Sequence, residues 1–148
     1  MNREIKFRGK SIFGIHEWLY GSLLLLNGKS YICPEKAAAW NMTRYEVIPD
    51  VVGEFTGLFD KNGKEIYEGD IISVNGKYPK LVKYINDYAC FCLANIEDLD
   101  KEMDTGYWHQ VSPGWWNSSK REIQVIGNVI DNEIEDYGKD TTIDKIHQ

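Results

Sequence analysis

No stretch of this sequence is apolar for long enough to cross a bilayer as a helix. The longest leucine run covers residues 23–26, against the roughly 20 apolar residues a spanning helix needs. The opening residues MNREIKFRGK lack the apolar core of a secretory leader, so no membrane partner is expected and the chain reads as cytoplasmic. Cysteine is scarce: Cys33, Cys90 and Cys92 are odd in number and form no spaced framework. That excludes a disulfide scaffold and fits free thiols in a reducing compartment. Positive charge is in deficit, with 17 Lys and Arg against 23 Asp and Glu and a net charge of −6. A surface that is wholly a footprint for phosphate backbones is thereby excluded, while a local basic stripe is not. Internal repeats and low-complexity linkers are absent too.

What is present suits a folded domain. With 148 residues, 43% hydrophobic and 27% charged, the chain fits one domain that buries roughly two-thirds of its unfolded surface. Five tryptophans and nine tyrosines supply large amphipathic rings, which are enriched in sheet faces, interfaces and base-stacking surfaces.

The patterning is that of a mainly-β protein with short helices. REIKFRGK alternates, with Ile5 and Phe7 on one side and Glu4, Lys6, Arg8 and Lys10 on the other, as in a half-buried strand. WLYGSLLLLNGKSYICP holds two apolar runs around Asn27 and Gly28. An Asn-Gly pair favours a two-residue type I′ turn, which pairs Leu26 with Lys29 and Leu24 with Tyr31. Both faces of that hairpin are largely apolar, so it is either covered twice or meets another chain. PEKAAAWNM suits one or two helical turns. From residue 50 short strands recur between turn-forming stretches such as DKNG, NGKYP and ND, the spacing of a meander that closes into a small barrel. In NIEDLDKEMD, Asn95 can cap a helix that carries Ile96, Leu99 and Met103 at helical spacing. GYWHQVSPGWWNSSKRE reads as a strand edge, a turn and an aromatic return, and IQVIGNVIDN as a last strand. The expected organisation is one domain over residues 1–132, with a barrel core at about 50–130 and a strand and hairpin at 3–34 packed on it. An acidic tail follows at 133–148.

The segment FTGLFDKNGKEIYEGDII resembles the start of a calcium loop, but its later positions fail. Counted from Asp60, the fifth, sixth and twelfth residues are Lys64, Glu65 and Ile71, where such a loop needs an oxygen ligand, glycine and glutamate. Turn chemistry accounts for the same residues. Asp60 accepts backbone N–H groups, Gly63 takes the left-handed conformation, and Gly69 with Asp70 forms a second turn.

Catalytic patterns fail as well. Gly28-Lys29-Ser30 has Leu23 where a phosphate loop needs glycine, and Gly9-Lys10-Ser11 has Glu4 there. No Gly-x-Ser-x-Gly elbow occurs. Cys90 and Cys92 share a strand face, yet no second cysteine pair completes a zinc site, so neither a metal nor a cofactor is expected. The acids at 97–104 read as a solvated helix face. One constellation invites a binding role: Trp108, His109, Trp115 and Trp116, followed by Lys120 and Arg121, together with the stripe Lys6, Arg8 and Lys10. Aromatics beside cations can stack on unpaired bases, but the same tryptophans can fill a core or seal an interface, and a solvent-facing strand accounts for the stripe.

REIKFRGK, VIPDVVGEFTGLFDKNGKEIYEGDII and VIGNVIDN, in that order, resemble the YopX-like family of phage and prophage proteins. The chain departs at Val51, where Thr is common, at Glu54, where Gln is common, and at Glu133, where proline is common. The resemblance implies an SH3-like barrel, homo-oligomers and an accessory role in the host cell, and it transfers no catalytic residue. The leading expectation is a non-enzymatic interaction or assembly module whose partners are itself or an unidentified host or phage protein. The alternatives are a nucleic-acid binder and a metal-dependent hydrolase.

Overall fold

A computed structural model describes residues 2–14, 17–36, 39–96, 109–110, 113–118 and 122–132. The protein is mainly β, and its strands fall into two compact units, Met1–Gly57 and Leu58–Gln148.

The first unit is built on β1 (Phe7–Lys10), β2 (Trp18–Leu26), β3 (Lys29–Cys33), β4 (Glu46–Val47) and the start of β5 (Gly53–Phe59). The β2–β3 hairpin has the register that its turn dictates: Leu26 pairs with Lys29, Leu24 with Tyr31 and Leu23 with Ile32. Asn27 and Gly28 both hold positive φ, at 52° and 76°, the type I′ geometry whose twist matches the flanking strands. β3 continues to β4 through Ser30–Val47 and Tyr31–Glu46. The bridge Ser11–Val47 then returns the end of β1 to β4, supported by Ile12 N–H to Glu46 O at 3.1 Å and Ile48 N–H to Lys10 O at 2.9 Å. Four strands thus close into a circuit at the base of the hairpin, where β1 pairs with residues 18–21 of β2 and β4 with Ser30 and Tyr31 of β3. Inside lie Ile32 and Val47, both buried. Gly9 keeps the circuit tight, since a Cβ there would stand 3.1 Å from the Val47 Cβ.

The helix expected over 34–42 is displaced. Glu35 and Lys36 form a turn, and a 3-10 segment runs instead over Ala39–Tyr45, broken at Asn41 with φ −122° and ψ 40°. A segment this short gains too few hydrogen bonds to offset α-helix nucleation.

In the second unit the end of β5 turns through residues 60–64 into β6 (Glu65–Tyr67), followed by β7 (Asp70–Val74), β8 (Lys77–Ile85), β9 (Cys90–Asn95), β10 (His109–Gln110), the helical turn α1 (Pro113–Trp116) and β11 (Ile123–Asn128). The sheet order is β10-β9-β8-β7-β11, with antiparallel pairing throughout. All five residues of central β7 are buried, the polar Asp70 and Ser73 among them. Ile66, Ile72, Val82, Leu93, Trp116 and Ile123 form the core, with Leu58, Trp115 and Val125 against it. Each such side chain contributes about 1.5–3 kcal/mol on burial.

Three expectations need correction here. Of NGKYP, only Asn75 and Gly76 turn; residues from Lys77 onward belong to β8, and a bulge places Tyr78 and Pro79 between the pairs Val74–Lys77 and Ile72–Lys80. A bulge tolerates the missing N–H of proline. Asn95 closes β9 and accepts a hydrogen bond from Lys80 Nζ, so it is part of a strand; residues 97–104 of the expected helix lie outside the described residues. The aromatic return is helical at Trp115 and Trp116, where Pro113 suits a first helical position.

Candidate interaction face

The basic stripe lies where sequence alternation places it, but its exposure is not what alternation predicts. Arg8 pairs with Tyr20 and Lys10 with Trp18 across β1–β2, which brings both cations onto one indole. The Arg8 Cζ stands 4.5 Å and the Lys10 Nζ 4.3 Å from the Trp18 ring centre, while Lys6 Nζ stands 5.2 Å from that of Phe55. Arg8 and Lys10 are each only 5% exposed. The solvent-facing reading of the stripe is therefore corrected: aliphatic stems pack on aromatic faces, and ring quadrupoles attract the charges. Lys6 keeps more exposure and pairs with Glu4 at 3.2 Å.

The tryptophan constellation is divided. Trp116 is buried in the core, and Trp115 packs beside it with ring centres 5.7 Å apart. Both are committed to packing, which leaves Trp116 no free face for a base. His109 joins the sheet through its backbone pairing with Leu93. Trp108, Lys120 and Arg121 lie outside the described residues.

The turn residues act on the backbone. Asp60 is buried; its Oδ1 accepts the N–H groups of Asn62 at 2.8 Å and Lys64 at 2.9 Å, and its Oδ2 accepts that of Val125 at 3.1 Å. Gly63 has φ 80° and Gly69 φ 94°, a region open to glycine and costly for most side chains. Asp70 Oδ2 accepts Tyr67 N–H at 2.7 Å, and Glu68 accepts Tyr84 N–H at 2.8 Å. Among the described residues no three His, Cys, Asp or Glu side chains group so as to hold a metal ion.

Cys90 and Cys92 do share one face of β9, with sulfurs 3.8 Å apart. Burial first, then the neighbouring Cys90, pushes the Cys92 thiol up to about 12. Burial also raises the Cys33 thiol, which donates to Met42 Sδ at 3.9 Å.

What remains open is the hairpin. Register sets Tyr20, Leu24, Leu26, Lys29, Tyr31 and Glu46 on the outer face of the circuit. Leu25 projects from the opposite face at the tip and is 69% exposed, Leu26 is 51% exposed and Tyr20 47%. Ile12 and Phe13, which follow β1, are exposed as well. Lys29 and Glu46 lie 3.8 Å apart beside this band. The apolar character of both hairpin faces was legible in the leucine run, whereas Trp18 as the platform for two cations carried no sequence signal. Exposed apolar side chains grouped on one hairpin are a common feature of interaction sites. The arrangement can bind by burial.

Fold and site define a class: a turn-punctuated, mainly-β protein with an exposed apolar hairpin, in which no described helix is long and apolar enough to cross a membrane. The family model described as YopX protein matches residues 6–134, and the chain belongs to that family. No curated protein sequence matches the chain.

Proposed function

We propose that this YopX protein is a phage-type accessory protein that works in the host cytoplasm by binding, as a non-enzymatic interaction or assembly module. The observation that carries the reading is the β2–β3 hairpin, whose register is pinned by a type I′ turn while Leu25 and Leu26 stay more than half exposed. A chain gains nothing by holding leucines rigidly in water, and burial against another surface is the favourable outcome. Self-association is the first partner proposed, because the same band carries both a cation, Lys29, and an anion, Glu46, and so can be self-complementary across a two-fold axis. The three free cysteines support the reducing location.

The test is the mass in solution by light scattering, for the full chain and for Leu25→Lys combined with Leu26→Lys. An assembly that falls to the monomer mass in the variant, with an unchanged circular dichroism spectrum, supports the reading. A monomeric wild type at all concentrations, or an assembly indifferent to both lysines, overturns it. Salt-dependent quenching by single-stranded oligonucleotides would instead favour a nucleic-acid binder.

A further inference from the structure

We infer that Cys90 and Cys92 form a two-sulfur chelate for a soft, thiophilic divalent cation of the zinc and cadmium class. The inference is independent of the hairpin. Alternate residues along a strand are about 6.6 Å apart at the backbone, yet these two sulfurs converge to 3.8 Å. Two sulfurs bound tetrahedrally at about 2.3 Å from one metal stand about 3.8 Å apart, so the pair has the bite of a tetrahedral metal edge. A disulfide suits the same place less well: its Cα atoms most often stand about 5.5–6 Å apart, closer than the roughly 6.6 Å between alternate residues of a strand. All three cysteines are free.

The surroundings select the kind of ion. Cys92 is fully buried and Cys90 half-buried, so an ion enters at Cys90 and completes its sphere with solvent or a small exogenous ligand. Their register partners on β8 are Lys83 for Cys92 and Ile85 for Cys90. Two thiolates and one divalent ion make a neutral unit, tolerable beside both Lys83 and the half-buried Ile85. Hard cations, which keep oxygen ligands and water, gain little from two sulfurs. On binding, the two S–H bonds break, two S–metal bonds form and two protons leave to solvent, with no change of oxidation state.

Cadmium titration of the reduced full chain tests this by the ultraviolet sulfur-to-cadmium charge-transfer band and by native mass spectrometry. One cadmium per chain is expected, with at least a tenfold loss of affinity in Cys90→Ser and in Cys92→Ala, and no change in Cys33→Ser. Cys90 is half-buried, so its variant decides the question even if Cys92→Ala fails to fold. Absence of the band in the wild type, or full binding by Cys90→Ser, overturns the inference.

Discussion

Asp60 offers the sharpest test of how this chain is held together. Its carboxylate receives three backbone N–H groups, two from its own turn and one from Val125, 65 residues away. The neighbouring bond from Lys61 N–H to Ile123 O, at 2.7 Å, fastens the same turn along the edge of β11. Replacement by alanine leaves all three donors without this acceptor. The turn donors are near water and lose about 1 kcal/mol each, while the half-buried Val125 N–H loses about 2 kcal/mol, for a total of about 4 kcal/mol. Asp60→Asn separates the parts: the amide oxygen keeps the turn, but the amide nitrogen faces the Val125 N–H donor to donor, for a loss of about 2 kcal/mol. With a urea slope of about 2 kcal/mol/M, the midpoint falls by about 2 M for alanine and about 1 M for asparagine. Hydrogen exchange resolved by residue assigns the loss, because protection at Val125 should drop first in Asp60→Asn while Asn62 and Lys64 are unaffected. An asparagine variant within about 0.5 kcal/mol of wild type, the range of an ordinary surface substitution, would refute the clamp. So would calcium that stabilises the wild type and not the variant, since the carboxylate would then be holding an ion.

Two other outcomes are expected. Ser73 is buried on central β7 and its Oγ has no hydrogen-bond partner among the described residues, so Ser73→Ala should stabilise by about 1 kcal/mol, read as a rise in melting temperature; a fall would mean that the hydroxyl holds a buried water. The Cys92 thiol is held up to about 12 from an ordinary 9.0. The folded state therefore keeps its proton where the unfolded state has lost it, and this contribution to stability is full below pH 9.0 and is lost as pH rises toward about 12. Unfolding midpoints of wild type and Cys92→Ala should converge over that interval, and a constant difference between them would contradict the assignment.

Much of the fold was legible in particular residues. Asn27 and Gly28 set the hairpin register, because a two-residue turn with positive φ at both positions leaves one pairing of the leucines with β3. Where the structure departs from the local pattern, a local preference meets a non-local partner. Alternation put Lys6, Arg8 and Lys10 on one side of β1, and the period of two says nothing of what lies over that side. Trp18, eight residues beyond Lys10, makes it a place for buried cations. The pair Trp115 and Trp116 carried no mark to tell a core ring from a stacking platform, since the two share the same chemistry.

By itself, then, the sequence determined the points at which the chain bends, because glycine, asparagine and aspartate settle backbone torsions with atoms that lie within a few residues. Tertiary structure alone decided which side chains water can reach. It buried Arg8, Lys10 and Trp116 and tied Asp60 to Val125, while leaving the hairpin leucines bare. Burial depends on surfaces brought together from distant parts of the chain, and no run of neighbouring residues encodes that meeting.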